Sequence, residues 1–112
     1  GVWAEHVAAL YLRLKGYRII EMRYKTPAGE VDIMARKGAA LVAVEVKMRG
    51  ELAGALEAVT VRSQKRIEKA TLHFLALHPE YADYNVRFDV IALRMSFPFF
   101  LTHLDNAWQA RS

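Results

Sequence analysis

Gly29-Glu30-Val31-Asp32-Ile33-Met34-Ala35-Arg36-Lys37-Gly38-Ala39-Ala40-Leu41-Val42-Ala43-Val44-Glu45-Val46-Lys47 reads as two strands joined by a tight turn. In the first strand Val31, Ile33 and Ala35 point one way and Glu30, Asp32 and Met34 the other, which is strand alternation. Lys37-Gly38-Ala39-Ala40 suits a two-residue hairpin loop, with Gly38 at the first central position where positive φ is wanted. Leu41 to Lys47 then puts Val42, Val44 and Val46 on one face and Leu41, Ala43, Glu45 and Lys47 on the other. With Gly38 and Ala39 as the loop, opposed residues are those whose numbers sum to 77, as Lys37 and Ala40 do. Asp32 is then expected opposite Glu45, and Glu30 opposite Lys47.

Directly opposed strand residues hold their Cβ atoms about 4.5 to 5.5 Å apart, and like charges at that distance repel unless something compensates. A divalent cation would do so. Two carboxylates converging on one side of a sheet suit Mg2+ or Mn2+, hard ions that prefer oxygen ligands and keep several waters. A main-chain carbonyl near Val46 could complete the set. Lys47, on the face of Glu45, is placed to orient or deprotonate a water at that ion, or to neutralise charge building on a phosphate. Metal-assisted phosphodiester hydrolysis is the chemistry this set implies. The plainer alternative is a solvated polar face on a half-buried hairpin, carrying ordinary surface ion pairs. Against it, Glu45 and Lys47 interrupt a valine-rich strand that should be central, where charge is least readily accepted.

Outward from this hairpin, Ala4, Val7, Ala8, Leu10, Tyr11 and Leu14 recur at helical spacing, so a helix is expected over about 2–15, stopped by Gly16. Tyr17 to Tyr24 reads as a strand, and Thr26-Pro27-Ala28-Gly29 as turn chemistry. Arg49 to Gly54 is expected as an exposed loop. Thr60 can cap a second helix reaching about Leu77, where His78-Pro79 ends it; Ile67, Ala70, Phe74 and Leu77 form its apolar stripe. Asn85 to Arg94 is a further strand, Phe97 to His103 a candidate fifth, and Asp105 to Ala110 a candidate closing helix. Helix, three strands, helix, two strands suits a mixed sheet with helices packed against it. On the second helix Arg62, Lys65, Arg66 and Lys69 form a basic side that could track phosphates, or simply face solvent. Gln64 and Lys65, at its start, could reach a phosphate held near Glu45.

The 112 residues, 54% of them hydrophobic, suit one domain over 1–112 with one core. Without cysteine there can be no disulfide, thiolate metal site or cysteine nucleophile, which agrees with a reducing cytoplasm. Sixteen Lys and Arg against twelve Asp and Glu leave a net charge of +4, the sign expected of a nucleic-acid partner. No apolar run is long enough to span a bilayer, and Glu5, His6 and Arg13 interrupt the first segment, so a soluble, cytoplasmic protein is expected. His6, His73, His78 and His103 lack metal-ligand spacing apart from the step between His73 and His78, which reads better as a helix end. Trp3, Trp108 and Phe97, Phe99 and Phe100 read as core or as the surface of a homodimer. Asp89, in Arg87-Phe88-Asp89-Val90, could pair locally or support the acidic site.

Gly29-Glu30-Val31-Asp32-Ile33-Met34-Ala35, Val44-Glu45-Val46-Lys47-Met48-Arg49, Lys65 and Arg87-Phe88-Asp89-Val90, in that order, resemble the YraN-type family of small bacterial proteins. That family looks like a branch of the PD-(D/E)xK superfamily, close to archaeal Holliday junction resolvases. The resemblance runs from Ala4-Glu5 to Asn106-Ala107-Trp108. It implies a restriction-endonuclease-like three-layer α/β fold, with a central mixed sheet of about five strands flanked by helices, and a metal-dependent endonuclease acting on DNA, branched DNA included. A nucleic-acid-binding module that keeps this fold without turnover is the alternative. By the same resemblance Asp32 and Glu45 are metal ligands and Lys47 the catalytic lysine. Glu5 matches an acidic residue that approaches the site, and Gln64 and Lys65 a supporting helical position. Arg49, Arg62, Gln64, Lys65, Arg66 and Lys69 are the expected nucleic-acid contacts. The chain departs from the pattern at Val31 for a proline, Ala53-Gly54 for an aromatic-glycine pair, and Met22-Arg23 for an asparagine-arginine pair; each leaves the ligand set intact.

Overall fold

Leu12 and Phe74 mark the two halves of the core, one under each side of a five-stranded mixed sheet. The computed structural model describes residues 2–110. Helix α1 (Val2–Leu14) leads into strands β1 (Arg18–Thr26), β2 (Gly29–Lys37) and β3 (Ala40–Met48). Helices α2 (Leu52–Ala58) and α3 (Val61–Leu77) and a 3-10 turn at Pro79–Tyr81 cross to β4 (Asn85–Arg94), and β5 (Phe100–Trp108) closes the sheet. The strands lie in sequence order, antiparallel except for the parallel pair β3 and β4. That pair is parallel because α2 and α3 carry the chain back to the starting end, as a parallel connection requires. The valine-rich strand β3 is central, as its composition predicts.

Layering follows from strand alternation. Leu41, Ala43, Val90 and Ala92 pack under α2 and α3 with Ile67, Ala70 and Phe74, while Val42, Val44, Ile91 and Leu93 meet Ala4, Ala8, Ala9 and Leu12 of α1. The first helix ends as expected. The N–H of Gly16 donates to Arg13 and that of Tyr17 to Leu12, around a left-handed Gly16. Thr60 caps α3 by accepting the Ser63 N–H at 3.1 Å. Gly38 has φ +56, and the β2–β3 pairs run from Lys37–Ala40 to Ile33–Val44, the register expected of that loop.

Three expectations need correction. Residues from Leu52 onward form α2, where a loop over Arg49 to Gly54 is expected. Leu52, Ala55, Leu56 and Val59 have helical spacing, and Ala55 and Val59 are buried on the sheet. Gly54 within that run reads as a breaker. Asp105 to Trp108 continue β5 instead of forming a helix, since Trp108 pairs with Phe88 and stacks on its ring at 5.1 Å. Leu77, expected in the apolar stripe of α3, is exposed at the helix end.

Candidate functional site

Where β2 and β3 reach Asp32 and Glu45, the sheet forks. Pairing between the two strands ends at Ile33–Val44, yet β2 stays paired with β1 through Val31, Glu30 and Gly29, and β3 with β4 through Met48. The opposition expected of Asp32 and Glu45 is thus replaced by side-chain contact at the base of the fork, and Glu30 pairs with Lys25 of β1, not with Lys47. The Asp32 carboxylate accepts the Val46 N–H at 2.8 Å and stands where a main-chain partner would otherwise be. Alternation breaks here too: Val31 and Met34, three residues apart, share the cluster under α2 and α3. Arg23 of β1, adjoining this break, has φ +51.

Three side chains meet at this base. Glu45 and Asp32 are hydrogen-bonded to each other, and the Lys47 Nζ lies 3.5 Å from the Glu45 Oε2. Their exposure is low for charged groups on a strand, 12% for the Glu45 side chain and 25% for Lys47, so they are not a solvated face. Burial, the bond to Asp32 and its charge push the Glu45 carboxyl up to about 8, and Lys47 offsets only part of that rise. Glu45 therefore keeps its proton at neutral pH. From α1, Glu5 is 9% exposed, and its pKa is raised by burial and then by the charge of Asp32. Its Oε1 lies 3.2 Å from the Arg23 Nε but lacks hydrogen-bond geometry there, which leaves a buried oxygen without a hydrogen-bond partner.

Among the described residues no three His, Cys, Asp or Glu side chains form a ready-made metal cage. What exists is a carboxylate pair held in contact, with an orphaned third carboxylate oxygen close enough to feel its charge. That donor set fits a small hard cation completed by water and main-chain oxygen, which asks fewer protein ligands than a cage.

The remaining expected residues form separate groups. Arg62, Lys65, Arg66 and Lys69 line one concavity with Ala28 of the β1–β2 turn, and Lys65 makes no ion pair with either carboxylate among the described residues. The Gln64 amide donates to the Val59 carbonyl at the junction of α2 and α3. Gly29 ties this basic side to the fork, because its Cα packs directly on the Arg66 carbonyl, with no room for a Cβ. Gly29 lies three strand residues from Asp32, roughly 10 Å. The Arg49 guanidinium donates to its neighbour's carbonyl, at Met48.

Asp89 takes the local option. It is fully buried, receives two hydrogen bonds from Arg87 at 2.9 and 2.8 Å, the Asn106 N–H at 3.0 Å, and lies 2.7 Å from the His103 Nε2. Burial alone would raise its pKa, but the bonds from His103, Arg87 and Asn106 bring it below the ordinary value. Tyr17 joins through its hydroxyl, 2.6 Å from Arg87. His78 stacks on Phe74 at the end of α3 and His73 bonds the Tyr24 hydroxyl, in keeping with a helix end. Trp108 is core-packed, its indole N–H donating to Glu68, whereas Phe97 and Phe99 are 87% and 73% exposed. Sequence reasoning missed Arg23 as a partner of Glu5, because it stands among other cations on β1, Arg18 and Lys25.

The fold and the fork together define a three-layer α/β protein with a carboxylate–lysine cluster where two strands of its sheet part. The profile of the family described as uncharacterised protein family UPF0102 matches residues 4–93, and the chain belongs to that family. It is 48% identical over 110 residues to a UPF0102 protein of Parvibaculum lavamentivorans, covering 97% of this chain and 80% of the relative. A UPF0102 protein of Bradyrhizobium diazoefficiens is 50% identical over 93 residues, 83% of this chain and 70% of its own length. One from Chelativorans is 44% identical over 108 residues, 96% and 85% of the two chains. No helix among the described residues is long and apolar enough to cross a membrane.

Proposed function

We propose that this protein is a Mg2+- or Mn2+-dependent nuclease of PD-(D/E)xK type that hydrolyses phosphodiester bonds in DNA, branched DNA among its substrates, in the cytoplasm. The observation that carries the proposal is the contact of Asp32 with Glu45 at the base of the fork, with the Lys47 ammonium 3.5 Å from Glu45. Asp32 and Glu45 would hold a divalent ion, which would supply polarisation of a phosphodiester and a water nucleophile at neutral pH. The protein's own groups supply the geometry. The Val46 N–H holds Asp32 in place, Glu45 must give up its proton to become a ligand, and the Lys47 ammonium beside it would neutralise charge building on a phosphate oxygen. Glu5 brings from α1 a carboxylate ion-paired with Arg23 whose Oε1 accepts no hydrogen bond, and Lys65 with its basic neighbours holds the substrate backbone.

The test is Mg2+ and Mn2+ titration by calorimetry on the wild type and on the Asp32→Ala, Glu45→Ala double variant, with cleavage of branched and linear DNA followed in parallel. Metal binding lost in the variant, together with cleavage that Lys47→Ala abolishes without unfolding, is the expected result. Metal-dependent cleavage by Lys47→Ala at the wild-type rate would overturn the assignment.

A second reading, a nucleic-acid-binding module without turnover, is favoured by the basic concavity on α3, whose four cations make no ion pair among the described residues. It predicts salt-dependent binding without strand scission. Affinity unaffected by salt would remove it.

A further inference from the structure

We propose that Arg94, together with Arg49, forms a second phosphate-holding wall of the fork, so that the nucleic-acid backbone is gripped on both sides of the carboxylates. This rests on the nucleic-acid reading above. The fork has two arms. One is the β1–β2 end, joined through Gly29 to α3 with Arg62, Lys65, Arg66 and Lys69. The other is the β3–β4 end, where Met48 pairs with Leu93 and the chain continues into Arg49 and Arg94.

Register puts Arg94 on the side that matters. Glu45 pairs with Val90 and Lys47 with Ala92 in the parallel ladder, so these four side chains share a face, and alternation along β4 carries Arg94 onto it as well. Arg94 stands four residues beyond Val90, roughly 13 Å along the strand. Its guanidinium Nη2 donates to the Gly50 carbonyl at 3.1 Å, which fixes the head over the turn after β3, beside Arg49 in one concavity with Gly50 and Ser96.

Charge completes the case. Among the described residues neither Arg94 nor Arg49 has a carboxylate partner, although the chain holds twelve acidic residues, and each guanidinium makes one bond, to a main-chain carbonyl. A guanidinium carries five N–H donors in a fixed fork suited to phosphate. Two arginines anchored by carbonyls keep most of those donors for an incoming anion. With one phosphate of each strand per about 3.4 Å of duplex axis, arms reaching roughly 10 Å and 13 Å from the carboxylates bracket several consecutive phosphates.

Binding of a fluorescein-labelled 30-base-pair duplex by anisotropy, in Ca2+ and across a salt series, tests this. The proteins are the wild type, Arg94→Gln, which keeps a donor for Gly50 but removes the charge, Arg94→Lys, and Lys65→Ala. Arg94→Gln should bind about tenfold more weakly, with a log–log salt slope shallower by about one, and Arg94→Lys should restore the slope. Unchanged affinity and slope in Arg94→Gln, with Lys65→Ala weakened, would overturn the second wall and leave the nuclease reading standing. Absence of binding by the wild type would overturn both. Melting each variant first separates lost contact from lost fold: Arg94→Gln weakened in affinity but unchanged in salt slope counts against the proposal.

Discussion

Glu45→Gln should stabilise the metal-free protein at neutral pH, because the native fold holds the Glu45 proton far above the pH at which the unfolded chain releases it. The ordinary value is 4.5 and the folded value about 8. Below pH 4.5 both states are protonated and Glu45 costs nothing. Between the two values the unfolded chain loses the proton while the fold keeps it, so stability falls as pH rises, by about 1.36 kcal/mol per unit. At pH 7 the accumulated cost is at most about 3 kcal/mol, worth roughly 10 °C in Tm for a chain of this size. Glutamine keeps the shape and a donor for Asp32 but has no proton to lose. The difference in Tm between variant and wild type, measured without divalent ions, should therefore widen from near zero at pH 4.5 to its largest value at pH 8. Taking the difference cancels the other titrating groups. With Mg2+ the wild type should gain and the variant should not, the more so at higher pH, since ligation needs the carboxylate. A Tm difference flat between pH 5 and pH 8, or a variant less stable than the wild type at pH 8, would refute the raised Glu45 carboxyl.

Gly29→Ala should destabilise the fold by about 2 to 3 kcal/mol, since the new methyl would overlap the Arg66 carbonyl; urea denaturation measures it, and a loss under 0.5 kcal/mol would mean α3 is not seated on β2 as described. Asp89→Ala should cost about 2 to 3 kcal/mol by leaving the half-buried Arg87 without its carboxylate, read by the same titration. The folded pKa of Asp89 is lowered, so the stability it contributes is present above its ordinary 3.8 and lost as pH falls through the folded value. Acid unfolding of wild type and Asp89→Asn should therefore converge at the lowest pH. Trp108→Phe should cost about 1 to 2 kcal/mol, because the buried Glu68 oxygen loses its indole donor, with a thermal melt as the check.

Local chemistry made the hairpin readable. Gly38 supplies the positive φ that a tight hairpin turn needs, a two-residue loop sets one register, and period-two alternation places the side chains of β3, whereas on β2 Val31, expected with Ile33 and Ala35, packs on the other side with Met34. The break in that alternation at Asp32 was beyond reach, because it depends on Arg23 of β1 and on where pairing with β3 stops. The α2 helix was hidden by Gly54, and the end of β5 by a run whose partner, Phe88, lies twenty residues earlier in the chain. Long-range pairing leaves no local trace.

By itself the sequence determined the α/β class, the centrality of a valine strand carrying Glu45 and Lys47, the cap at Thr60 and the stop at Gly16, since each follows from spacing, turn geometry or the cost of charge in a sheet. Only the tertiary structure decided that the sheet forks at Asp32, that Glu5 is buried beside Arg23 and feels the charge of Asp32, that Asp89 belongs to Arg87 and His103, and that the basic residues of α3 lie apart from Arg49 and Arg94. Those outcomes depend on which main-chain groups remain unpaired after the strands and helices have packed, a balance summed over the whole chain.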